Sequence, residues 1–178
     1  MAQKAYLVLT AVGPDRPGLV NEISQMILAS GANLEDSRMA ILGGEFALLL
    51  LVSGSEQATA AVESSGPALG DKLGLRVMLK RTLRHEGARD FLPYTIGVTG
   101  VDRPGIVHGV AGVLAKRGIN VASLESRVSY APLSGTPMFT LEADLQIPSE
   151  VALSELRHEL SAICDDENLD FTLVPRSS

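Results

Sequence analysis

The chain has 178 residues, 46% of them hydrophobic and 20% charged, with a net charge of −6. That length accommodates two domains of about 85–90 residues, and the composition excludes a disordered chain. The acidity argues against a broad nucleic-acid footprint, and it is uneven: residues 1–92 carry 9 basic and 10 acidic side chains, residues 93–178 carry 6 and 11.

Residues 5–12 are apolar and partly β-branched and end at Gly13-Pro14, so they predict a strand. Leu19, Ile23, Met26 and Ile27 form a helical stripe that Gly31 closes. Residues 33–41 and 45–53 read as strands joined by a Gly43-Gly44 hairpin turn. A weaker helix fits residues 56–69, with Gly66-Pro67 expected to break it, and residues 75–83 give a last strand.

The second half repeats this order. Strands are expected at 94–101, 120–128, 138–147 and 169–174, and helices at 105–117 and 149–164, the latter with Ser149 as N-cap. A longer hairpin loop spans 131–137, and the acidic run Asp165-Asp166-Glu167 reads as a solvated loop. Each βαββαβ unit predicts an α+β, ferredoxin-like domain: a four-stranded antiparallel sheet with two helices on one face. The boundaries are residues 1–83, a polar linker at 84–93, and residues 94–178. Lys80, Arg81, Arg84 and Arg89 form a basic cluster beside the linker, read as solvated.

The repeat is literal at one place. Gly13-Pro14-Asp15-Arg16-Pro17-Gly18-Leu19-Val20 recurs as Gly100-Val101-Asp102-Arg103-Pro104-Gly105-Ile106-Val107, a shift of 87 (102 minus 15), and Gly31-Ala32-Asn33-Leu34 recurs in the same register as Gly118-Ile119-Asn120-Val121. Proline suits a first helical position and glycine lets backbone approach a ligand. The free N–H groups of such a helix start favour an anion such as a carboxylate. Asp15 could accept from an ammonium group, and Asn33 can donate and accept. Together they would make an α-amino-acid clamp, with Asp102, Gly105, Ile106, Val107 and Asn120 as its second copy. Asp15 and Asp102 could equally be helix caps, and Asn33 and Asn120 turn residues, so the residues alone leave both readings open.

Other features carry less chemistry. Cys164, the only cysteine, excludes an intramolecular disulfide, fits a reducing cytosol, and sits at helical spacing with Leu156 and Leu160 as a buried thiol. His85, His108 and His158 show no metal-ligand spacing, and no catalytic constellation or cofactor motif stands out. The start of the chain lacks an apolar leader and the longest apolar run, residues 46–52, is too short for a bilayer, so a soluble cytoplasmic protein with no membrane contact is expected. In the strand at 138–147, Thr140, Glu142 and Asp144 alternate with apolar residues, whereas the matching positions of the first half are Ala47, Leu49 and Leu51. The first half should therefore carry an apolar outer sheet face, which predicts a homodimer through the first domains.

The Asp-Arg-Pro-Gly turn, the helix ending in Gly-x-Asn and the βαββαβ order resemble ACT domains, over about residues 4–82 and 92–175. The paired form, with Asp36-Ser37-Arg38-Met39-Ala40 and Gly44-Glu45-Phe46 in the first half and residues 132–139 in the second, resembles the glycine cleavage system transcriptional repressor family. The resemblance implies two tandem ACT domains in a non-catalytic regulatory protein that binds a small amino acid, glycine being the candidate. It implies ligand sites at interfaces between ACT units, carried to Asp15, Gly18, Leu19, Asn33 and Leu34, and to Asp102, Gly105, Ile106, Asn120 and Val121. It also implies control of transcription without direct nucleic-acid contact, through a protein partner, a LysR-type activator. An amino-acid-binding regulatory subunit of a metabolic enzyme is the alternative. Some ACT domains carry a polar side chain two positions before the aspartate; here Gly13 and Gly100 stand there.

Overall fold

Period-two alternation builds the sheets and leaves one face of each for helices. A computed structural model describes residues 4–83 and 90–176, and the chain divides into two units, Met1–Glu86 and Gly87–Ser178. The first contains β1 (Ala5–Pro14), α1 (Leu19–Ala29), β2 (Asn33–Leu42), β3 (Glu45–Gly54), α2 (Glu56–Leu73) and β4 (Arg76–Thr82). The second contains β5 (Phe91–Val101), α3 (Ile106–Lys116), β6 (Asn120–Tyr130), β7 (Pro137–Pro148), α4 (Leu153–Glu167) and β8 (Leu169–Pro175). Both sheets are antiparallel, ordered β2-β3-β1-β4 and β6-β7-β5-β8. Each unit is thus the expected ferredoxin-like βαββαβ domain.

In the first unit Leu7, Leu9 and Ala11 of β1 and Phe46, Leu48, Leu50 and Val52 of β3 meet Leu19, Ile23 and Ile27 of α1 and Val62 and Leu73 of α2. In the second, Ile96, Val98, Leu141 and Leu145 meet Ile106, Val110 and Leu114 of α3 and Leu156, Leu160 and Cys164 of α4. Burying each such side chain contributes about 1.5–3 kcal/mol. Burial pushes the Cys164 thiol up, aided by the negative charges of Asp165 and Asp170.

Tertiary packing overrides four local expectations. Helix α2 runs through Gly66-Pro67 without a break. Its buried face is Ala58, Thr59, Val62, Gly66, Gly70 and Leu73, so small residues bring it down on β4, while Pro67 sits on the exposed side. A Cβ at Gly70 would lie 2.8 Å from the Leu75 carbonyl oxygen, backbone that cannot move aside cheaply, and one at Gly66 would lie 2.6 Å from Leu79 Cδ1 and displace that side chain, so the close seating depends most on Gly70. Ser149 is not the N-cap of α4; Ala152 is, and the Ser149 backbone N–H and hydroxyl both donate to the Asp90 carbonyl, at 3.3 and 3.1 Å. Residues 165–167 form the last turn of α4, not a loop. Strand β5 begins at Phe91, so Pro93 lies inside it, accepting from the Arg176 N–H.

Of the basic cluster, the two described members, Lys80 and Arg81, point to opposite faces of the sheet. Arg81 faces α2, where it donates to Glu63 (2.7 and 2.9 Å) and pairs with Glu56. Lys80 faces the opposite side of the sheet, and Arg84 and Arg89 lie outside the described residues.

The two outer sheet faces differ as the alternation predicts. Directly paired residues of antiparallel strands share a face. In the first unit three rows cross β2, β3, β1 and β4: Asp36, Leu51, Val8, Lys80; then Arg38, Leu49, Thr10, Met78; then Ala40, Ala47, Val12, Arg76. The matching rows of the second unit carry Thr95, Asp144, Glu125, Glu142, Arg127 and Asp170. There Asp144 accepts from Thr95 (3.0 Å) and Ser123 (2.9 Å) and pairs with Arg176.

Candidate ligand site at the helix starts

The repeated turn works through its glycine. Gly18 is the N-cap of α1 with φ 95°, and Gly105 the N-cap of α3 with φ 103°, both left-handed and neither with a side-chain cap. Asp15 and Asp102 therefore do not cap their helices. Pro17 and Pro104 precede the caps rather than opening the helices, because the chain must first swing through the left-handed glycine. The first main-chain bonds close from Glu22 N–H to the Gly18 carbonyl (3.0 Å) and from Gly109 N–H to the Gly105 carbonyl (2.9 Å). The N–H groups of Leu19, Val20 and Asn21 consequently point out of α1 at the positive end of its dipole.

The loop is anchored from behind. Asp15 N–H donates to the Gly44 carbonyl at 3.1 Å and Asp102 N–H to the Pro137 carbonyl at 2.9 Å, tying each turn to the neighbouring hairpin. Gly13 is fixed by packing: a Cβ there would lie 2.7 Å from the Gly74 carbonyl oxygen and 2.9 Å from Leu75 Cδ2. Gly100 repeats this against Leu169 Cδ2, at 2.5 Å. A polar side chain two positions before the aspartate is thus excluded by backbone in the first unit, and in the second it would have to displace the Leu169 side chain and crowd the Asn168 carbonyl at 3.1 Å.

In the first unit this helix start borders an open groove of about 690 Å³, lined by Asp15, Arg16, Pro17, Gly18, Leu19, Val20, Asn21, Ser24, Met39, Ile41 and Phe46. Its volume lies within the usual range of small-molecule clefts. The apolar wall is the helix-facing side of edge strand β2, where Met39 is 52% and Ile41 53% exposed because neither helix reaches them. Arg16 folds over the first turn: its guanidinium donates to Glu22 at 2.9 Å and to the Pro17 carbonyl at 3.2 Å. That hydrogen bond, with the charges of Arg16 and Lys72, holds the Glu22 carboxyl below its ordinary range.

Asn33 and Leu34 line a second groove of about 480 Å³, between α1 and the start of β2, with Gln25, Ile27, Leu28 and Ala32. Asn21 and Ser24 line both grooves. Of the expected site residues, Asp15, Gly18 and Leu19 come together, while Asn33 and Leu34 stand at the adjoining cleft. The Asn33 amide donates to Glu35 at 3.5 Å, and the Asn120 amide to Gln146 at 2.7 Å. Glu35 projects from the bulge between Leu34 and Asp36 and accepts from Lys4 and from buried Ser53 (2.6 Å), which lowers its carboxyl to about 2.

The second unit keeps the turn but changes its lining. Asp102, Gly105 and Ile106 open α3, and Asn120 and Val121 open β6. At the 87-residue shift, however, Asn21 becomes His108, Glu22 Gly109, Ser24 Ala111 and Met39 Ser126. Arg103 accordingly lacks the acidic partner that Arg16 has, and among the described residues it forms no ion pair. Sequence reading missed Asn21, Ser24, Met39, Ile41 and Phe46. Asn21 and Ser24, three residues apart, lie on the α1 face beside the apolar stripe, which is the signal that could have found the first two. Among the described residues no helix is long and apolar enough to cross a membrane and no His/Cys/Asp/Glu group could hold a metal ion.

Residues 5–80 match one ACT domain family and residues 94–157 a second ACT domain family. The glycine cleavage system transcriptional repressor of Escherichia coli (strain K12) is 30% identical over 168 residues, covering 94% of this chain and 88% of that protein. The crystal structure of an unknown protein from Galdieria sulphuraria superposes with a TM-score of 0.83 at 31% identity, covering 98% of this chain and all of that one. The crystal structure of a candidate glycine cleavage system transcriptional repressor superposes with a TM-score of 0.74 at 32% identity, covering 99% of this chain.

Proposed function

Because the chain belongs, as a tandem ACT-domain protein, to the family of the glycine cleavage system transcriptional repressors, we propose that it is a cytoplasmic, non-catalytic regulator that senses a small amino acid, glycine first among the candidates. The observation that carries this is the first-unit groove: an uncapped helix start at Gly18, with free N–H groups for a carboxylate, opens into it beside the Asp15 carboxylate, which suits an ammonium group. Asn21 and Ser24 add polar partners, and Met39 and Ile41 give the groove an apolar wall on one side. Asp102, Gly105, Ile106, Asn120 and Val121 offer a second, less polar version.

Ligand binding shifts a conformational equilibrium only where affinity differs between the two states. The proposed output is a change in the surface offered to a protein partner, a LysR-type transcription activator, with no direct contact to nucleic acid. The regulator acts as a homodimer.

Thermal unfolding against a panel of amino acids tests the sensor. A ligand at 100-fold over its dissociation constant that binds only the folded state stabilises by about 2.7 kcal/mol. A selective shift for one small amino acid, abolished in Asp15→Ala and reduced in Asn33→Ala, is expected. No shift across the panel overturns ligand sensing.

A further inference from the structure

The outer sheet face of the first unit is apolar at its centre and charged along its two edges, and that arrangement distinguishes one way of covering it. Leu49 on central strand β3 is 46% exposed, and Met78 on β4 is 71% exposed in the same row. The edges differ in sign pattern. Strand β2 carries Asp36 and Arg38 on this face, paired with each other at 2.8 Å so that this edge is neutral overall, and β4 carries Arg76 and Lys80, two cations that form no ion pair among the described residues.

We propose that this face stacks on the same face of a second copy, with the two-fold axis running along the strands. This deepens the homodimer part of the reading above and does not depend on the ligand. Two isologous stackings are available to a sheet. With the axis along the strands the rows stay in register and the edge strands exchange, so Asp36 lies against the partner's Lys80, twice, and Arg38 lies against the partner's Met78. With the axis across the strands the rows reverse: Arg38 meets the partner's Arg38, and Lys80 meets the partner's Arg76. The first stacking places opposite charges together and the second places only like charges together, so electrostatics selects the first. Aligned packing of twisted sheets tolerates it, at about 30° between strand directions.

Four strands about 4.8 Å apart and four rows about 6.8 Å apart, the three above and a fourth of Asn33, Ser53, Tyr6 and Thr82, cover roughly 500 Å² per copy. The total of about 1,000 Å² reaches the lower bound for a specific interface and suits a weak, micromolar dimer.

Sedimentation equilibrium or light scattering on the full chain, across the micromolar range, tests it. The wild type is expected to dimerise, and Met78→Lys, which sets a cation against the partner's Arg38, to be monomeric with unchanged far-UV circular dichroism. Leu49→Asp does the same from the centre of the face. Asp36→Lys and Lys80→Asp should each raise the dimer dissociation constant about tenfold, and the double swap should restore it. Within one chain the two positions lie on opposite edges, three strand spacings or about 14 Å apart, so rescue can only act between copies. A wild-type monomer overturns both this inference and the homodimer reading, and hands the face to another occupant. A dimer indifferent to Met78→Lys and Leu49→Asp overturns only this interface. A double swap weaker than either single overturns the axis.

Discussion

Replacing Gly18 by alanine isolates the geometry on which the candidate site depends. Gly18 holds φ 95° and ψ −11°, and an added Cβ would find only Arg16 Nη1 at 3.8 Å and Glu22 Oε1 at 3.9 Å, so there is room for the methyl but not for the backbone angle. An L-residue in the left-handed region costs about 1–2 kcal/mol. For a unit of this size that lowers Tm by about 4–16 °C, at roughly 4–8 °C per kcal/mol. Gly105→Ala, at φ 103° with nothing within 4 Å, should cost the second unit as much. Gly112 is the control: it lies inside α3, also has open space, and has an ordinary helical φ. Gly112→Ala should therefore stabilise, by up to about 1 kcal/mol. Differential scanning calorimetry reads the three variants, and amide exchange assigns each loss to its unit. A Gly18→Ala protein that melts with the wild type would refute the left-handed cap, and a Gly112→Ala protein that melts below the wild type would remove the control that assigns the Gly18 loss to backbone angle.

Two further outcomes follow from the same turn and its neighbour. Gly13→Ser forces a Cβ to within 2.7 Å of the Gly74 carbonyl oxygen, backbone that cannot give way cheaply; urea unfolding should register a loss of about 1–3 kcal/mol, and no gain in amino-acid affinity. Glu35 has its folded carboxyl lowered to about 2, through hydrogen bonds from Lys4 and Ser53. A lowered folded value means stability that is present above the unfolded value near 4.5 and is lost as pH falls from there towards 2. The Tm gap between wild type and Glu35→Gln should thus be constant above about pH 5 and close on acidification; a gap that widens as pH falls contradicts the assignment.

The duplicated fold and its repeated turn are legible in local residue patterns. Alternating Phe139, Leu141 and Ala143 against Thr140, Glu142 and Asp144, and the stripe of Leu19, Ile23 and Ile27, are local periodicities that dictate which face is buried before any tertiary contact forms. Glycine at positions 18 and 105 is legible for the same reason, since a left-handed residue is a local demand. The contrast between the two outer sheet faces was readable from matched positions in the repeat. Other features needed the assembled molecule. Pro67 was expected to break α2, but the penalty is local while the compensation comes from Val62, Gly66 and Gly70 packed on the sheet. Ser149 had the chemistry of a cap and was instead engaged by Asp90, 59 residues away in the chain. Only the fold brought Met39 and Ile41 of β2 alongside Asp15 and Ser24, and set Asn33 in the adjoining groove rather than the same one. Periodicity along a segment names the face a residue occupies; which distant segment meets that face is a property of packing, and the candidate site is made of such meetings.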